Sequence, residues 1–368
     1  MIIKKNILIW YWGRHGFAQK YTNQIIKELL IINKKKKLYN FYYSYSNNAE
    51  LSSLYDQIKI HKYPINTFTN STQAFLKTLN LFKIKKEFLL FLNQKKIDKI
   101  YCPMFYYWNP YLSSSFRKMN IEYTFGIHDY SLHPGENNLI KQKIYTKEKK
   151  NVNKYVCYSK YVKNKLINID KIKKQNILLS SLEFKNSVHK KKNNVKNLKF
   201  IFFGRLLKYK GIEKLINIFS KKYYFKNNIS LTIIGSKDKN FDLPKINTSN
   251  ISIISGWINE SNINNIVRKY DVCVLPYEEA SQSGVIPLMF NNSIPVIVTP
   301  VGGLSNQVKN NINGLISKKK NISSIESEIQ RILNLKFFYK LRKGAIRQAT
   351  NSNKKFSKNT LALYNFFK

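Results

Sequence analysis

At 368 residues the chain is long enough for two domains that each bury their own core, and no apolar run in it approaches the length that spans a bilayer. Its formal charge of +44 points at first to nucleic acid or to an anionic membrane surface. Yet only seven of its 64 basic residues are arginines, while Lys, Asn, Ile, Tyr and Phe are abundant together and Gly and Pro are scarce. That is the mark of A/T-rich codons rather than of a surface selected for charge.

The lysines fall in short scattered runs, as at 34–37, 190–192 and 318–320. No aromatic-interleaved basic stripe of the kind that binds single strands is present, so nucleic acid is not an expected partner. A charge this high still favours contact with anionic membranes. Cys102, Cys157 and Cys273 lie far apart in apolar, strand-like surroundings and form no metal-ligand pair. They read as buried thiols in a reducing cytoplasm.

In chain order, Ile7-Leu-Ile-Trp-Tyr-Trp12 is too short for a signal-peptide core and reads as a first strand, within 5–12. It runs into Gly13-Arg-His-Gly16 and a helix over 17–32. Further strands are expected near 37–44, 57–62, 98–103, 121–127, 154–158 and 175–180, with helices at 71–93 and 138–150 between them. His128-Asp129 ends one strand and His133-Pro-Gly-Glu136 follows. Ser159 reads as a helix N-cap. Residues 184–197 lose all apolar periodicity and read as a linker.

A second alternating series follows. Strands are expected at 198–203, 230–235, 250–255, 272–276, 294–298 and 314–316, with helices at 211–222, 260–269 and 284–291 and two or three more to the end. Strands alternating with helices imply parallel sheets covered on both faces, whose ligands bind outside the carboxyl ends of the strands. The glycines Gly13, Gly16, Gly204, Gly256 and Gly284 all stand at such strand–loop junctions.

Three segments of the second half carry chemistry. In Gly204-Arg-Leu-Leu-Lys-Tyr-Lys-Gly211, Arg205 and Lys210 lie across one turn and can converge on an anion, Arg as a fork of donors and Lys as a point charge. Lys210 could equally be a lysine that merely precedes a helix. Asp271-Val-Cys-Val-Leu-Pro276 is a buried strand ending just before Glu278-Glu-Ala-Ser-Gln-Ser-Gly-Val285. Pro287 has no N–H, so a helix here begins near Gly284 with the proline in its first turn. Gln282, Ser283, Gly284 and Val285 would then present backbone N–H groups and a positive dipole end, a seat for a phosphate or diphosphate. Turns of this kind also occur in α/β folds without a ligand.

Together Gly204-Arg205, Lys210-Gly211, Gly256, Asp271 to Pro276, Ser281-Gln-Ser-Gly284, Pro295, Val301-Gly-Gly303 and Asn313-Gly314 resemble the second domain of GT-B glycosyltransferases, in particular the retaining group 1 (family 4) enzymes. The spacing holds across about 110 residues. The resemblance implies two Rossmann-like doubly wound α/β domains facing a cleft: an acceptor-side domain over 1–185, a nucleotide-sugar domain over 198–345, and a C-terminal helix over 346–368 that can pack back on the first domain. It further implies that Arg205 and Lys210 grip the donor diphosphate and that the Ser283-Gly284 helix start caps it. Gly256 and Trp257 would contact the base, and Gly13 and Gly16 would lie near the phosphates. His128 would stand beside the donor sugar, with Asp129 either orienting it or only capping the following turn.

The family's paired glutamates fall here on Ala280 and Leu288. Glu278 or Glu279 replaces the first with a small shift, Glu279 being taken as the sugar contact, and the ribose contact is left unassigned. The expected activity is a cytoplasmic, metal-independent, retaining transfer from a nucleotide-diphosphate sugar, without a bound cofactor. The acceptor would be a glycan or lipid-linked glycan of a surface polysaccharide, and the enzyme would sit at the inner membrane face. A GT-B epimerase or hydrolase, and a basic nucleic-acid-binding protein, are the alternatives.

Overall fold

A computed structural model of the chain describes residues 4–14, 17–50, 58–131, 139–182, 188, 195–238, 241–242 and 244–368. Gly16, His133 and most of the linker at 184–197 lie outside these residues. The described chain divides into two compact units, one of residues 4–131, 139–182 and 356–368, the other of 188–355.

In the first unit seven parallel strands, β1 (Lys5–Tyr11), β2 (Tyr39–Ser46), β3 (His61–Ile65), β4 (Lys99–Cys102), β5 (Glu122–Ile127), β6 (Lys154–Cys157) and β7 (Ile177–Leu179), lie in the order β3-β2-β1-β4-β5-β6-β7. Helices α1 (Phe17–Lys36), α2 (Ser71–Leu79), α3 (Leu81–Gln94), α4 (Asn109–Ser113), α5 (Leu139–Asn151) and α6 (Lys160–Asn168) connect them. Every residue from Ile7 to Trp12 is buried, as a strand covered on both faces requires. Trp10 and Trp12 meet edge to face at 5.5 Å and both pack on Phe88, while Trp12 Nε1 donates to Ser44 Oγ at 2.7 Å. Ser159 Oγ accepts from the Val162 N–H at 3.2 Å, capping α6.

This core holds one carboxylate that sequence reasoning missed. Glu148 on α5 is fully buried and accepts hydrogen bonds from the hydroxyls of Tyr123 and Ser113, the latter at 2.7 Å. Burial pushes its carboxyl up to about 7 against those two bonds, which favour the charged form. All three cysteines are free and buried, and burial raises each thiol, that of Cys157 to about 12.

The second unit has six parallel strands, β8 (Lys199–Phe203), β9 (Ser230–Gly235), β10 (Ile251–Ser255), β11 (Val272–Leu275), β12 (Val296–Val298) and β13 (Gly314–Ile316), in the order β10-β9-β8-β11-β12-β13. Its helices are α7 (Ile212–Phe219), α8 (Lys222–Lys226), α9 (Glu260–Val267), α10 (Val285–Asn291), α11 (Leu304–Gln307) and α12 (Ile322–Ile332), with α13 (Leu335–Phe366) running to the end of the chain. Both strand orders are Rossmann-like: the chain starts in mid-sheet, moves outward to one side, and then crosses back to the other. The reversal falls between β1 and β4 in the first unit and between β8 and β11 in the second.

The helix expected to begin at 346 is the second part of α13, whose residues from Phe356 onward belong to the first unit. There Tyr364 packs on Tyr39 at 4.8 Å and donates to Asn33 Oδ1 at 2.7 Å. Two expected helices are each broken in two: 71–93 at Asn80, and 211–222 after Phe219.

Candidate functional site

The loops after β8 and β11 lie on either side of the second unit's reversal point, where an open α/β sheet leaves a crevice at its strand ends. The first loop turns through Gly211, whose φ of 67° is left-handed and where a Cβ would fall 2.2 Å from the Pro276 carbonyl oxygen. Only glycine lets the two loops approach this closely. On the far side Gly302 does the same against Ala280, with φ 46° and a Cβ position 1.7 Å from the Ala280 oxygen.

Several expected site residues come together here. A side chain on Gly204 would meet Lys210 Nζ at 3.4 Å and Val285 Cγ2 at 3.8 Å, so the turn after β8 touches the start of α10. Lys210 Nζ donates to the Tyr277 hydroxyl at 3.3 Å and lies 4.7 Å from the centroid of that ring. The same hydroxyl interacts with Ser283 and feels the Arg205 charge, while burial pushes its phenol far up. Tyr277 therefore stays protonated and polar between the cation and the serine. The Thr299 hydroxyl holds the Tyr277 backbone by donating to its carbonyl at 2.5 Å. The sequence did offer one signal for Tyr277: it follows the buried strand directly.

The helix start differs from expectation in its free donors. Gln307, reaching over from α11, accepts from the Ser283 N–H at 2.8 Å and donates from Nε2 to the Ser283 carbonyl at 2.9 Å. The Val285 N–H bonds back to Ser283 Oγ at 3.3 Å. Two N–H groups expected to face a phosphate are thus engaged within the protein, because a side-chain amide 24 residues away matches a backbone amide in both donor and acceptor. No sequence signal marks Gln307. Gln282 is buried, and its Nε2 has no hydrogen-bond partner among the described residues.

The remaining expected residues are placed separately. Arg205 is exposed on the turn after β8. Glu279 is exposed, whereas Glu278 pairs with Lys214 and, at 3.7 Å, with Lys320. Two cations thus hold the Glu278 carboxylate. Gly256 ends β10 with its N–H on the Gly235 carbonyl at 3.1 Å and leaves Trp257 exposed. Gly256 and Trp257 are therefore two strands away from Lys210, on β8's side of the sheet.

In the first unit, His128 follows β5 with Nδ1 2.8 Å from Asp129 Oδ2. Asp129 is fixed in turn by its carbonyl, which accepts from the Tyr145 hydroxyl. The Asp129 carboxylate is thus placed to accept from Nδ1 and to set the ring's plane. Gly13 ends β1, where its carbonyl accepts from Gln19 Nε2 at 2.9 Å and a Cβ would collide with the Tyr11 ring.

Comparison with known proteins bears on the fold and the family. Residues 183–352, just under half of the chain and almost all of the second unit, match the family model of glycosyl transferases group 1. An uncharacterized glycosyltransferase of Methanocaldococcus jannaschii is 31% identical over 141 residues, 36% of this chain and 35% of that protein. A second from the same organism is 28% identical over 209 residues, 56% of each. The chain thus spans about a third and a little over half of these curated relatives. Sucrose-phosphate synthase from Thermosynechococcus elongatus superimposes with a TM-score of 0.74 at 14% identity, over 98% of both chains. Anabaena HepE, solved in complex with UDP, does so with a TM-score of 0.68 at 11% identity, over 99% of both.

The fold is therefore GT-B, two parallel-sheet α/β units, and the family match together with the two relatives supports a glycosyl-transfer role of the group 1 kind.

Proposed function

We propose that the protein is a retaining, metal-independent glycosyltransferase that moves a sugar from a nucleotide-diphosphate sugar to a glycan or lipid-linked acceptor in surface polysaccharide synthesis. The observation that carries this reading is the meeting of Gly204, Lys210, Tyr277, Ser283 and Val285 at the reversal point of the second sheet. It sets a cation and a protonated phenol above strand ends, inside the segment that matches the family model. HepE, of the same fold, is solved with UDP, which favours a uridine donor.

In this reading the bond between the anomeric carbon and the diphosphate oxygen breaks. The acceptor oxygen bonds to that carbon on the same face, so that its configuration is kept, and the acceptor's proton passes to the departing phosphate oxygen. Negative charge grows on the leaving phosphate in this step. Lys210 and Arg205 compensate it as fixed cations, so no divalent ion is called for, and the α10 start contributes its dipole. His128, with Nδ1 on Asp129, and Glu279 are assigned to the sugar hydroxyls. Gly13 and Gly16 are assigned to phosphate contact, and Gly256 with Trp257 to the base. Anionic lipid is assigned as a peripheral contact at the cytoplasmic face. No described helix is long and apolar enough to cross a membrane. Transfer that persists in excess EDTA and yields a product with the donor's anomeric configuration supports the proposal. Inverted product, or activity abolished by EDTA and restored by magnesium, contradicts it.

A further inference from the structure

In the first unit α2 carries large apolar side chains outward, and α3, which buries Leu81, Phe88, Phe91 and Leu92, adds two more. Phe75, Leu76 and Leu79 recur at the spacing that shares one helix face, and Phe82 and Leu90 continue the stripe along α3. These five side chains are between 51 and 72% exposed. Two polar side chains of α2 tie it to the unit. Thr78 Oγ1 accepts from Trp108 Nε1 at 3.1 Å, and Lys77 Nζ donates to the carbonyls of Asn66 and Thr67 at 3.0 and 2.9 Å. The helix is thus fastened by its polar face and shows its apolar one, the reverse of a helix that packs on a core. Scattered exposed hydrophobes need no explanation, but a contiguous stripe of large ones does.

We infer that this stripe is a docking surface for an anionic lipid bilayer. Lys83 and Lys86 are exposed beside Phe82, and Glu87 is the single acidic residue in 71–94. Apolar tips flanked by lysines fit the boundary between acyl chains and anionic headgroups, where a helix lies in the plane with its apolar face inserted. A second copy is a poorer occupant. It would set the lysines of one stripe against those of the other, with Glu87 as the one acidic residue of each segment 71–94. The surface deepens the membrane contact proposed above but uses no nucleotide, so the donor site and the surface succeed or fail separately.

The test is co-sedimentation of the full chain with vesicles of phosphatidylcholine alone or of equal parts phosphatidylcholine and phosphatidylglycerol. Wild type is compared with Phe75→Ser/Leu79→Ser/Phe82→Ser and with Lys83→Glu/Lys86→Glu. All altered residues are exposed, and circular dichroism checks that both variants remain folded. Wild type is expected on the anionic vesicles only. The apolar triple variant should lose at least about tenfold in partitioning, a conservative figure for three removed large side chains, and the charge variant should lose partitioning steeply at low salt. Wild type that ignores anionic vesicles overturns the inference. So does a triple variant that partitions like wild type, since diffuse lysine attraction would then suffice. Wild type that forms a dimer dispersed by the triple substitution hands the surface to a second copy and overturns it as well.

Discussion

Lys210, Tyr277 and Glu148 each make a separable claim. Lys210 is half-buried, and its ammonium donates to the Tyr277 hydroxyl. Lys210→Ala should lower kcat/KM about 10²–10³-fold, the usual loss on removing one preorganised donor to a developing anion, with little change in melting temperature. Steady-state kinetics with the identified donor checks this. Tyr277→Phe removes only the hydroxyl that Lys210 and Ser283 share, and should destabilise the fold by about 1 kcal/mol while weakening donor binding. Urea unfolding and calorimetric titration separate the two effects.

Glu148 concerns stability alone. Its carboxyl titrates near 4.5 when unfolded and about 7 in the fold, so in that window the folded state holds the proton that the unfolded state has lost. Stability is therefore full below pH 4.5 and falls as pH rises toward 7. The shift corresponds to a loss of roughly 3 kcal/mol at most. Glu148→Gln, which keeps the shape and cannot ionise, should flatten the pH dependence of the unfolding midpoint between pH 5 and 8. An unchanged slope would show that other groups set it.

Among elements, β11 depends on a buried charge. Asp271 accepts from Arg342 Nη2 at 2.9 Å and from the Lys199 N–H at 3.1 Å, and the guanidinium lies over the Phe338 ring at 4.4 Å. Arg342 Nε and Nη1 are buried without partners among the described residues. Asp271→Ala strands that cation and should cost about 3–5 kcal/mol, whereas Asp271→Asn/Arg342→Met should cost clearly less than the sum of the single changes. A chemical-denaturation double-mutant cycle measures it.

The same elements show where sequence reasoning holds and where it stops. Runs such as Ile7–Trp12, Phe200–Phe203 and Val272–Leu275 are apolar throughout because parallel strands are covered on both faces, so they were legible. The break at Asn80 was hidden because the apolar residues keep helical spacing through it, although those of α2 face solvent and α3 sends some to solvent and others to the core. In the final helix Gly344 looks like a stop beside the expected boundary at 345/346. It is instead a point of contact inside α13, where a Cβ would fall 1.7 Å from the Ile312 carbonyl oxygen. The loops of the candidate site were legible through their glycines and prolines, which leave a backbone signature. Gln307 was not, since a side chain that arrives from another element through tertiary packing leaves no local pattern.

For the molecule as a whole, the GT-B architecture, the family match over the second unit and the convergence on Lys210 lead to one consequence: the folded protein should bind a nucleotide-diphosphate sugar. Binding to the native state alone raises stability by about 2.7 kcal/mol at a hundredfold excess over the dissociation constant. The decisive measurement is thermal unfolding of wild type, Lys210→Ala and Arg205→Ala with UDP-, GDP-, ADP- and CMP-sugars. The account predicts a rise in melting temperature with one nucleotide class, the uridine donors first among them, reduced in both variants. No rise with any donor, or an equal rise in wild type and both variants, would contradict it.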